Sequence, residues 1–184
     1  MSGGHGHVDS HGGGNKGIAL LISVLALVLA FSETLGKSAQ TAALAYNIEA
    51  SNLWAFFQAK TIRQTVLRTA AEELETASSS DLSKKQVAKW RETAQRYQNE
   101  PETGEGREQL AARAKDAEKK RDVSMARYHH YEVASAAVQI AIVLASAAII
   151  TAITALVWIA GALGVLGVAF CVIGFFFPTA VHLF

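Results

Sequence analysis

Two long apolar stretches flank a highly charged middle segment of this chain. Residues 17–35 are apolar almost throughout, and residues 133–177 contain no Asp, Glu, Lys or Arg. Because one membrane-crossing helix needs about 20 apolar residues, the first stretch predicts one span and the second predicts two. The predicted spans cover residues 17–35, 132–151 and 156–177, and a tight turn near residues 151–156 joins the last two.

The middle segment, residues 36–131, has the pattern of a long helical hairpin. No Pro or Gly interrupts residues 38–77, where apolar or small side chains recur mostly every three or four positions. This spacing predicts one buried face of a long helix that continues the first span without a break. The predicted buried face consists of Leu44, Ile48, Ser51, Ala55, Ala59, Ile62, Val66, Ala70 and Ala77.

Shorter elements connect the two arms of the predicted hairpin. A helix is expected at residues 82–98, with Ser83 and Gln86 as its capping box. Residues 99–106 contain one Pro and two Gly, which predicts a loop. A third long helix begins near Arg107 and runs directly into the second span, because neither Pro nor Gly lies in its path.

The fold class that follows is all-α: an integral membrane protein with about three transmembrane helices and a coiled-coil-like helical hairpin outside the bilayer. Residues 1–16 form a Gly- and His-rich tail with too few apolar side chains to order itself, and residues 178–184 form a short C-terminal tail. One alternative for the first span is a signal peptide cleaved after residues 28–30. The helical pattern continues past that point, which favours a retained span.

Composition and charge narrow the class of function. The formal net charge is +1, so no basic excess favours a nucleic-acid partner. All Asp, Glu, Lys and Arg residues except Asp9 and Lys16 lie between Glu33 and Glu132. That distribution excludes an ordinary cytosolic enzyme and a wholly disordered chain. The single cysteine, Cys171, excludes an intramolecular disulfide.

Candidate chemistry is sparse. His5, His7 and His11 are weak candidates for a metal site, but no cysteine or carboxylate cage surrounds them, which favours a flexible tail. His129 and His130 are adjacent, so on a helix they point in different directions and cannot form a ligand pair. The sequence also has no phosphate-binding, dinucleotide-binding, metalloprotease or nucleophile-elbow motif. We therefore expect neither an enzyme nor a bound cofactor.

Small residues mark packing surfaces in the last two predicted spans. Alanines recur every three or four positions in the second span and glycines line the third, so helix backbones can approach closely. Gln139 is expected to hydrogen-bond to a neighbouring helix near the membrane edge. The two sets are Ala134, Ala137, Ala141, Ala145, Ala148 and Ala152, and Gly161, Gly164, Gly167 and Gly174. They could pack the hairpin against itself, against the first span or against another subunit.

The most distinctive stretch is residues 47–60, where bulky side chains surround almost the whole helix. A helix in a simple hairpin keeps one side polar, so this crowding predicts either a junction of several helices or a surface that binds a partner. The core interpretation is favoured. The candidate interaction residues are Trp54, Phe57, Gln58 and Lys60.

The motif Trp-x-x-aromatic-Gln-Ala-Lys at residues 54–60 resembles a bacterial family of small membrane proteins defined only as a domain of unknown function. The resemblance extends from about residue 18 to residue 177 and includes the run at residues 139–146. Its other matching positions are Asn47, Ala50, Ser51, Arg63, Tyr97, Glu118, Arg121 and Asp122. It implies one N-terminal span, a helical soluble region and a C-terminal two-span hairpin. It implies no activity, cofactor or catalytic residue.

These observations favour a non-enzymatic, membrane-anchored scaffold or interaction protein. Its expected partners are the lipid bilayer and either further copies of the chain or other membrane proteins. A subunit of an oligomeric transporter or channel is the alternative, with Gln139, Ser146 and Thr151 lining a shared polar path. A third hypothesis is a metal-handling protein that uses the histidines of the tail.

Basic residues near the predicted spans indicate an orientation. The side of the N-terminal tail offers Lys16 alone. The side of the helical region carries Lys37, Lys119, Lys120, Arg121 and Arg127. The positive-inside rule then places the helical region in the cytoplasm. The resemblance to a bacterial family implies that the membrane is the bacterial inner membrane.

Overall fold

Four α-helices make up nearly all of the computed structural model, which describes residues 12–181, with side chains from residue 16 onward. The helices are α1 (Gly12–Ala77), α2 (Asp81–Gln98), α3 (Arg107–Thr151) and α4 (Thr154–Phe176). No strand occurs among the described residues. The all-α fold class predicted from the sequence is therefore confirmed.

Three of these helices, α1, α3 and α4, are long and apolar enough to cross a membrane. In α1 and α3 the apolar part belongs to a longer unbroken helix that also carries charged sequence. No proline lies within either helix, so no backbone N–H is lost from the ladder of hydrogen bonds. The predicted number of membrane-spanning helices is confirmed by length and composition.

The N-terminus of α2 is capped by Ser80. Its backbone is extended, and its side-chain oxygen accepts a hydrogen bond from the Ser83 N–H at 3.2 Å. The predicted capping box of Ser83 and Gln86 is therefore wrong. Ser83 is already inside the helix, and its N–H is one of the unpaired donors that the first turn of a helix presents to a cap.

The connection between α3 and α4 is shorter than predicted. Only Ala152 and Ile153 lie outside the two helices, whereas the sequence placed the turn near residues 151–156. Ala152 has a φ of 54°, and the Ile153 N–H donates to Thr151 Oγ1 at 3.4 Å. As a result α4 begins at Thr154, two residues earlier than expected. No Gly, Pro or Asn marks this turn, so its position could not be recognised from turn residues.

The described residues form two compact units. The first is drawn from Met1–Thr41 and Val123–Phe184 and is called the apolar unit here. The second, Ala42–Asp122, contains α2 and the adjoining parts of α1 and α3, and is called the charged unit.

Small side chains pack the three helices of the apolar unit together. Its core cluster joins Leu25 of α1, Val138, Ala141 and Ala145 of α3, and Ala160 of α4. The other buried alanines of α3 in this unit are Ala134, Ala137 and Ala148. This alanine seam therefore packs within the chain. Ala152, which the sequence assigned to the same seam, lies exposed in the turn.

Three glycines of α4 lie where side chains of other helices approach its backbone. At one of them, Gly174, an added Cβ would lie 2.8 Å from His130 Cβ. A Cβ added at Gly164 would lie 2.6 Å from Leu25 Cδ2. A Cβ at Gly167 would lie 2.5 Å from Val138 Cγ2 and 3.1 Å from the Ala134 carbonyl oxygen. At Gly167 an added methyl group would overlap Val138 and crowd a backbone oxygen, whereas at Gly164 it would overlap only the flexible end of Leu25.

Gly161 does not take part in this packing, although the sequence predicted that it would. A Cβ added there would meet nothing within 4 Å. Gly161 directly follows the fully buried Ala160, and one residue turns the direction of a side chain by about 100°. It therefore lies off the contacting face of α4.

Three polar side chains of the predicted spans have hydrogen-bond partners within the apolar unit. Gln139 donates to Glu33 Oε1 at 3.2 Å, which joins α3 to α1. The hydroxyls of Ser146 and Thr151 donate to the carbonyl oxygens four residues earlier, at 2.8 and 2.9 Å. These bonds are the usual way in which Ser and Thr are satisfied inside an apolar helix.

In the charged unit, α1 buries a different face from the one predicted. Its buried residues there are Ala43, Ala50, Leu53, Lys60, Gln64 and Ala71. The large members of the predicted face are exposed instead, at 60% for Leu44, 52% for Ile48, 65% for Ile62 and 60% for Val66. The prediction was wrong because it followed hydrophobicity alone, whereas α1 buries Lys60 and Gln64 beside polar partners.

The face left outside is a continuous row along α1, which we call the outer stripe. Its members are Leu44, Ile48, Ser51, Ala55, Ala59, Ile62 and Val66, all of them exposed. Ala70, also assigned to the predicted face, is half-buried, and Ala77 is exposed at the end of the helix.

Replacing Gly167 should test the close packing of α4. We expect Gly167→Ala to lower the free energy of unfolding by roughly 1–3 kcal/mol, because the added methyl group overpacks the contact with Val138. Thermal unfolding of the purified chain in mild detergent measures the change. Gly161→Ala is the matched control and should cause no loss. Equal unfolding temperatures for the two variants would contradict the assigned contact.

Candidate interaction site around Trp54 and Lys60

The distinctive stretch of α1 lies against α3 in the charged unit. Leu53 forms a buried cluster with Leu110 and Ala114 of α3, and Trp54 and Phe57 pack on that cluster. The four-residue step from Leu53 to Phe57 keeps both on one side of α1. The crowding seen in the sequence therefore includes a true core contact.

Trp54 and Phe57 are half-buried and have specific partners. Trp54 Nε1 donates to Glu118 Oε1 of α3 at 2.8 Å, and its ring meets the Phe57 ring edge-to-face at 5.4 Å. The guanidinium group of Arg107 lies 4.8 Å from the centre of the Phe57 ring. The contacts with Glu118 and Arg107 fasten α1 to α3, because both residues belong to α3, whereas the ring contact lies within α1.

Lys60 is buried, and its ammonium group pairs with two carboxylates of the loop after α2. Nζ lies 3.3 Å from Glu100 Oε2 and 3.7 Å from Glu105 Oε2. The rings of Phe56 and Tyr97 complete its surroundings, with centres 5.2 and 5.6 Å from Nζ. A charge removed from water needs such partners, and an ammonium group over aromatic faces gains further attraction.

Gln64 lies one turn after Lys60 and is also buried. Its side-chain nitrogen donates to the Ala94 carbonyl oxygen of α2 at 2.9 Å. Arg107 donates to Gln64 Oε1 at 2.5 Å and to Gln98 Oε1 at 2.9 Å. Among the described residues, the buried Nε of Arg107 has no hydrogen-bond partner. The amide and guanidinium groups thus link all three helices of the charged unit.

The four candidate interaction residues therefore separate into two groups. Trp54, Phe57 and Lys60 make contacts inside the charged unit, whereas Gln58 is exposed. Their partners, Glu100, Glu105, Arg107 and Glu118, were not singled out as partners from the sequence. The nearest of them lies 40 residues from its partner in the chain, so no local pattern could have revealed the pairing.

The pairing leaves an electrostatic signature on Glu100. Loss of contact with water raises the pKa of the Glu100 carboxyl, but hydrogen bonds from Lys60 and Thr103 and the charges of Lys60 and Arg96 lower it more strongly. The net result is a pKa below the ordinary value of 4.5. The carboxylate is therefore stabilised in its charged form.

The described residues contain no group of three or more His, Cys, Asp or Glu side chains that could hold a metal ion. His5, His7 and His11 lie outside the described residues, so the metal hypothesis for the tail stays a prediction. His130 is buried in the apolar unit, where its Nε2 lies 3.1 Å from the Pro178 carbonyl oxygen.

A family model described as a domain of unknown function, DUF4337, matches residues 14–177. The match includes the motif at residues 54–60 and all four helices almost completely. The chain belongs to the DUF4337 family. The resemblance stated from the sequence is thereby confirmed. Neither the curated proteins nor the solved structures contain a match to the chain.

Replacing Lys60 tests whether the motif of this DUF4337 protein maintains the fold. We expect Lys60→Met to lower the free energy of unfolding by about 1–2 kcal/mol, because Glu100 then loses its buried cation. Chemical unfolding followed by circular dichroism measures the loss. Lys89→Met, at an exposed position of α2, should change stability by less than about 0.5 kcal/mol. Equal stability of the two variants would show that the ion pair contributes nothing.

The lowered pKa of Glu100 predicts a pH dependence of unfolding for this DUF4337 protein. A lowered pKa in the folded state stabilises the protein above pH 4.5, and this contribution is lost as the pH falls through the lowered pKa. Wild type should therefore unfold at a higher temperature than Glu100→Gln at pH 7, and the difference should shrink below pH 4.5. A difference that is independent of pH would contradict the assignment.

Proposed function

We propose that this protein is a non-enzymatic, membrane-anchored scaffold that binds protein partners through α1. The outer stripe is the observation that supports this proposal. It presents four large aliphatic side chains to solvent within the charged unit. Scattered exposed apolar residues are common, but a continuous row along one helix is typical of an interface.

The contacts of the polar residues also favour a scaffold. Trp54, Lys60 and Arg107 are among the residues from which a binding or catalytic site could be built, yet each is engaged in contacts with another helix or with the loop after α2. Of the residues in the channel hypothesis, Ser146 and Thr151 bond to their own helix, and Gln139 bonds to Glu33. No specific observation favours a shared polar path over these internal bonds.

The proposed location is the bacterial inner membrane, with the charged unit in the cytoplasm. Three helices with the length and composition of membrane spans support the membrane assignment. The excess of Lys and Arg on the side of the helical region supports the orientation.

Photo-crosslinking in native membranes tests the proposed function. A photoreactive phenylalanine analogue at position 62 should yield covalent protein adducts, because Ile62 is a member of the outer stripe and is 65% exposed. The same analogue at position 115, on the charged and exposed face of α3, is the matched control and should yield far fewer. Adducts identified by mass spectrometry would name the partner. Adducts absent at position 62, or equally frequent at both positions, would contradict a protein-binding role.

A further inference from the structure

The outer stripe is long and uncharged, and its side chains are small in the middle and large at both ends. It extends over residues 44–66, about 33 Å of helix. Serine and alanine occupy its middle, at Ser51, Ala55 and Ala59, and large aliphatic side chains occupy both ends. Its members are separated by steps of four, three and four residues that repeat after 11 residues. An 11-residue repeat stays close to one face of a nearly straight helix, so a second helix can follow the row.

We propose that the outer stripe binds the outer stripe of a second copy of this chain in the same bilayer, with the two α1 helices parallel and crossing near Ala55. The inference rests on the proposed function and names its partner. In a parallel pair with two-fold symmetry, each residue meets its own counterpart. The helices can therefore cross closely only where that residue is small, which is the middle of the stripe. Ile48 and Ile62 then fill the space where the helices diverge.

The charge pattern of the exposed surface is compatible with such self-pairing. No charged residue belongs to the stripe, so a parallel pair brings no like charges together at its centre. Exposed neutral side chains that both donate and accept hydrogen bonds flank it at Asn52 and Gln58, and Arg63 is a charged residue beside it. The exposed face of α3 instead carries Lys115, Asp116, Lys119 and Lys120 and is a poor surface for self-association.

Two opposing effects decide between a parallel and an antiparallel pair. Glu49 lies six residues before Ala55 and Arg63 lies eight residues after it, so an antiparallel pair would bring Glu49 of one chain near Arg63 of the other. Exposed ion pairs of this kind change an association constant by less than about tenfold. The unbroken α1 also contains a membrane-spanning window, so copies anchored in one bilayer present their stripes in the same direction. Anchoring in one bilayer raises the effective concentration of parallel stripes about a hundredfold or more. This gain for the parallel pair is larger than the gain that the ion pair gives to the antiparallel pair.

The size of the stripe explains why the bilayer is needed. A standard protein interface uses about 20–30 residues from each partner. The seven members of the outer stripe and the side chains beside them supply fewer than that. A pair formed through this surface would be weak between free molecules, and confinement to one membrane compensates for the small area.

Disulfide crosslinking of the full chain in phospholipid vesicles tests the pair. In a Cys171→Ser background, which removes the natural thiol, single cysteines are introduced as Ile62→Cys in the stripe and as Lys115→Cys on α3. Under mild oxidation we expect the cysteine at position 62 to form covalent dimers at least about tenfold faster than the one at 115, because only position 62 meets its counterpart. Adding Ile48→Gln to Ile62→Cys should slow dimer formation about tenfold, because a polar side chain then enters the apolar contact.

Each result either supports or overturns the pair. Equal rates at positions 62 and 115 would overturn it. So would mixed dimers between chains with Ile48→Cys and chains with Ile62→Cys, formed faster than dimers of either alone, because only an antiparallel pair joins those positions. Circular dichroism of each variant verifies that the helices are retained.

If photo-adducts at position 62 in native membranes contain only another protein, the self-pairing is wrong while the scaffold function stands. If that position yields no adducts, the scaffold function fails as well.

Discussion

The burial of Lys60 determines which face of α1 points inward in the charged unit. Its ammonium group lies between Glu100 and Glu105 and over the rings of Phe56 and Tyr97. An isolated ammonium group inside a protein would be very unfavourable, so Lys60 can be buried only where the loop after α2 supplies carboxylates. Because a helix has only one face toward its neighbours, burying Lys60 and Gln64 leaves the outer stripe in solvent. The buried ion pair of Lys60 and the exposure of the outer stripe both result from the same orientation of α1.

The two units are held together by different physical effects. In the apolar unit, Ala and Gly let helix backbones approach closely, which is what stabilises helix contacts in lipid, where apolar burial gives no driving force. The charged unit exposes many charged side chains, as suits water, and in water apolar burial does provide a driving force. Its core cluster is nevertheless small, with Leu53, Leu110 and Ala114 at its centre. Trp54 packs on this cluster and donates a hydrogen bond to Glu118, and Lys60 further along α1 pairs with Glu100 and Glu105. Such polar contacts add modestly to stability but favour one register of the helices.

The length and order of the helices and the packing face of α3 could be predicted from the sequence, but the buried face of α1 in the charged unit could not. Long apolar runs, the positions of Pro101 and the loop glycines, and the spacing of apolar residues sufficed for the fold class and the number of spans. The inward face of α1 was missed because hydrophobic spacing ranks Lys60 as a surface residue, and only its partner Glu100, 40 residues away, makes it a core residue. The N-cap was misplaced because Ser80 and Ser83 suit that position equally by residue type. The role of Gly161 was also mispredicted. The sequence shows that a glycine is present but not whether a neighbouring helix lies close enough to require one.

The functional interpretation follows from the apolar side chains that the fold leaves exposed. Three of the four candidate interaction residues, Trp54, Phe57 and Lys60, are engaged inside the charged unit. The large aliphatic residues of the predicted buried face are outside. Full burial of a Leu, Ile or Val side chain is worth roughly 1.5–3 kcal/mol, and the large members of the outer stripe are a little over half exposed, so each can still contribute roughly 1 kcal/mol. Four such residues per chain could supply several kcal/mol, part of which is lost in immobilising the two chains. An association of that size is weak in dilute solution but significant in a membrane, where both chains are already confined to two dimensions. A scaffold whose contacts depend on local density would gain from this modest affinity, because it can assemble where the protein is concentrated and separate where it is not.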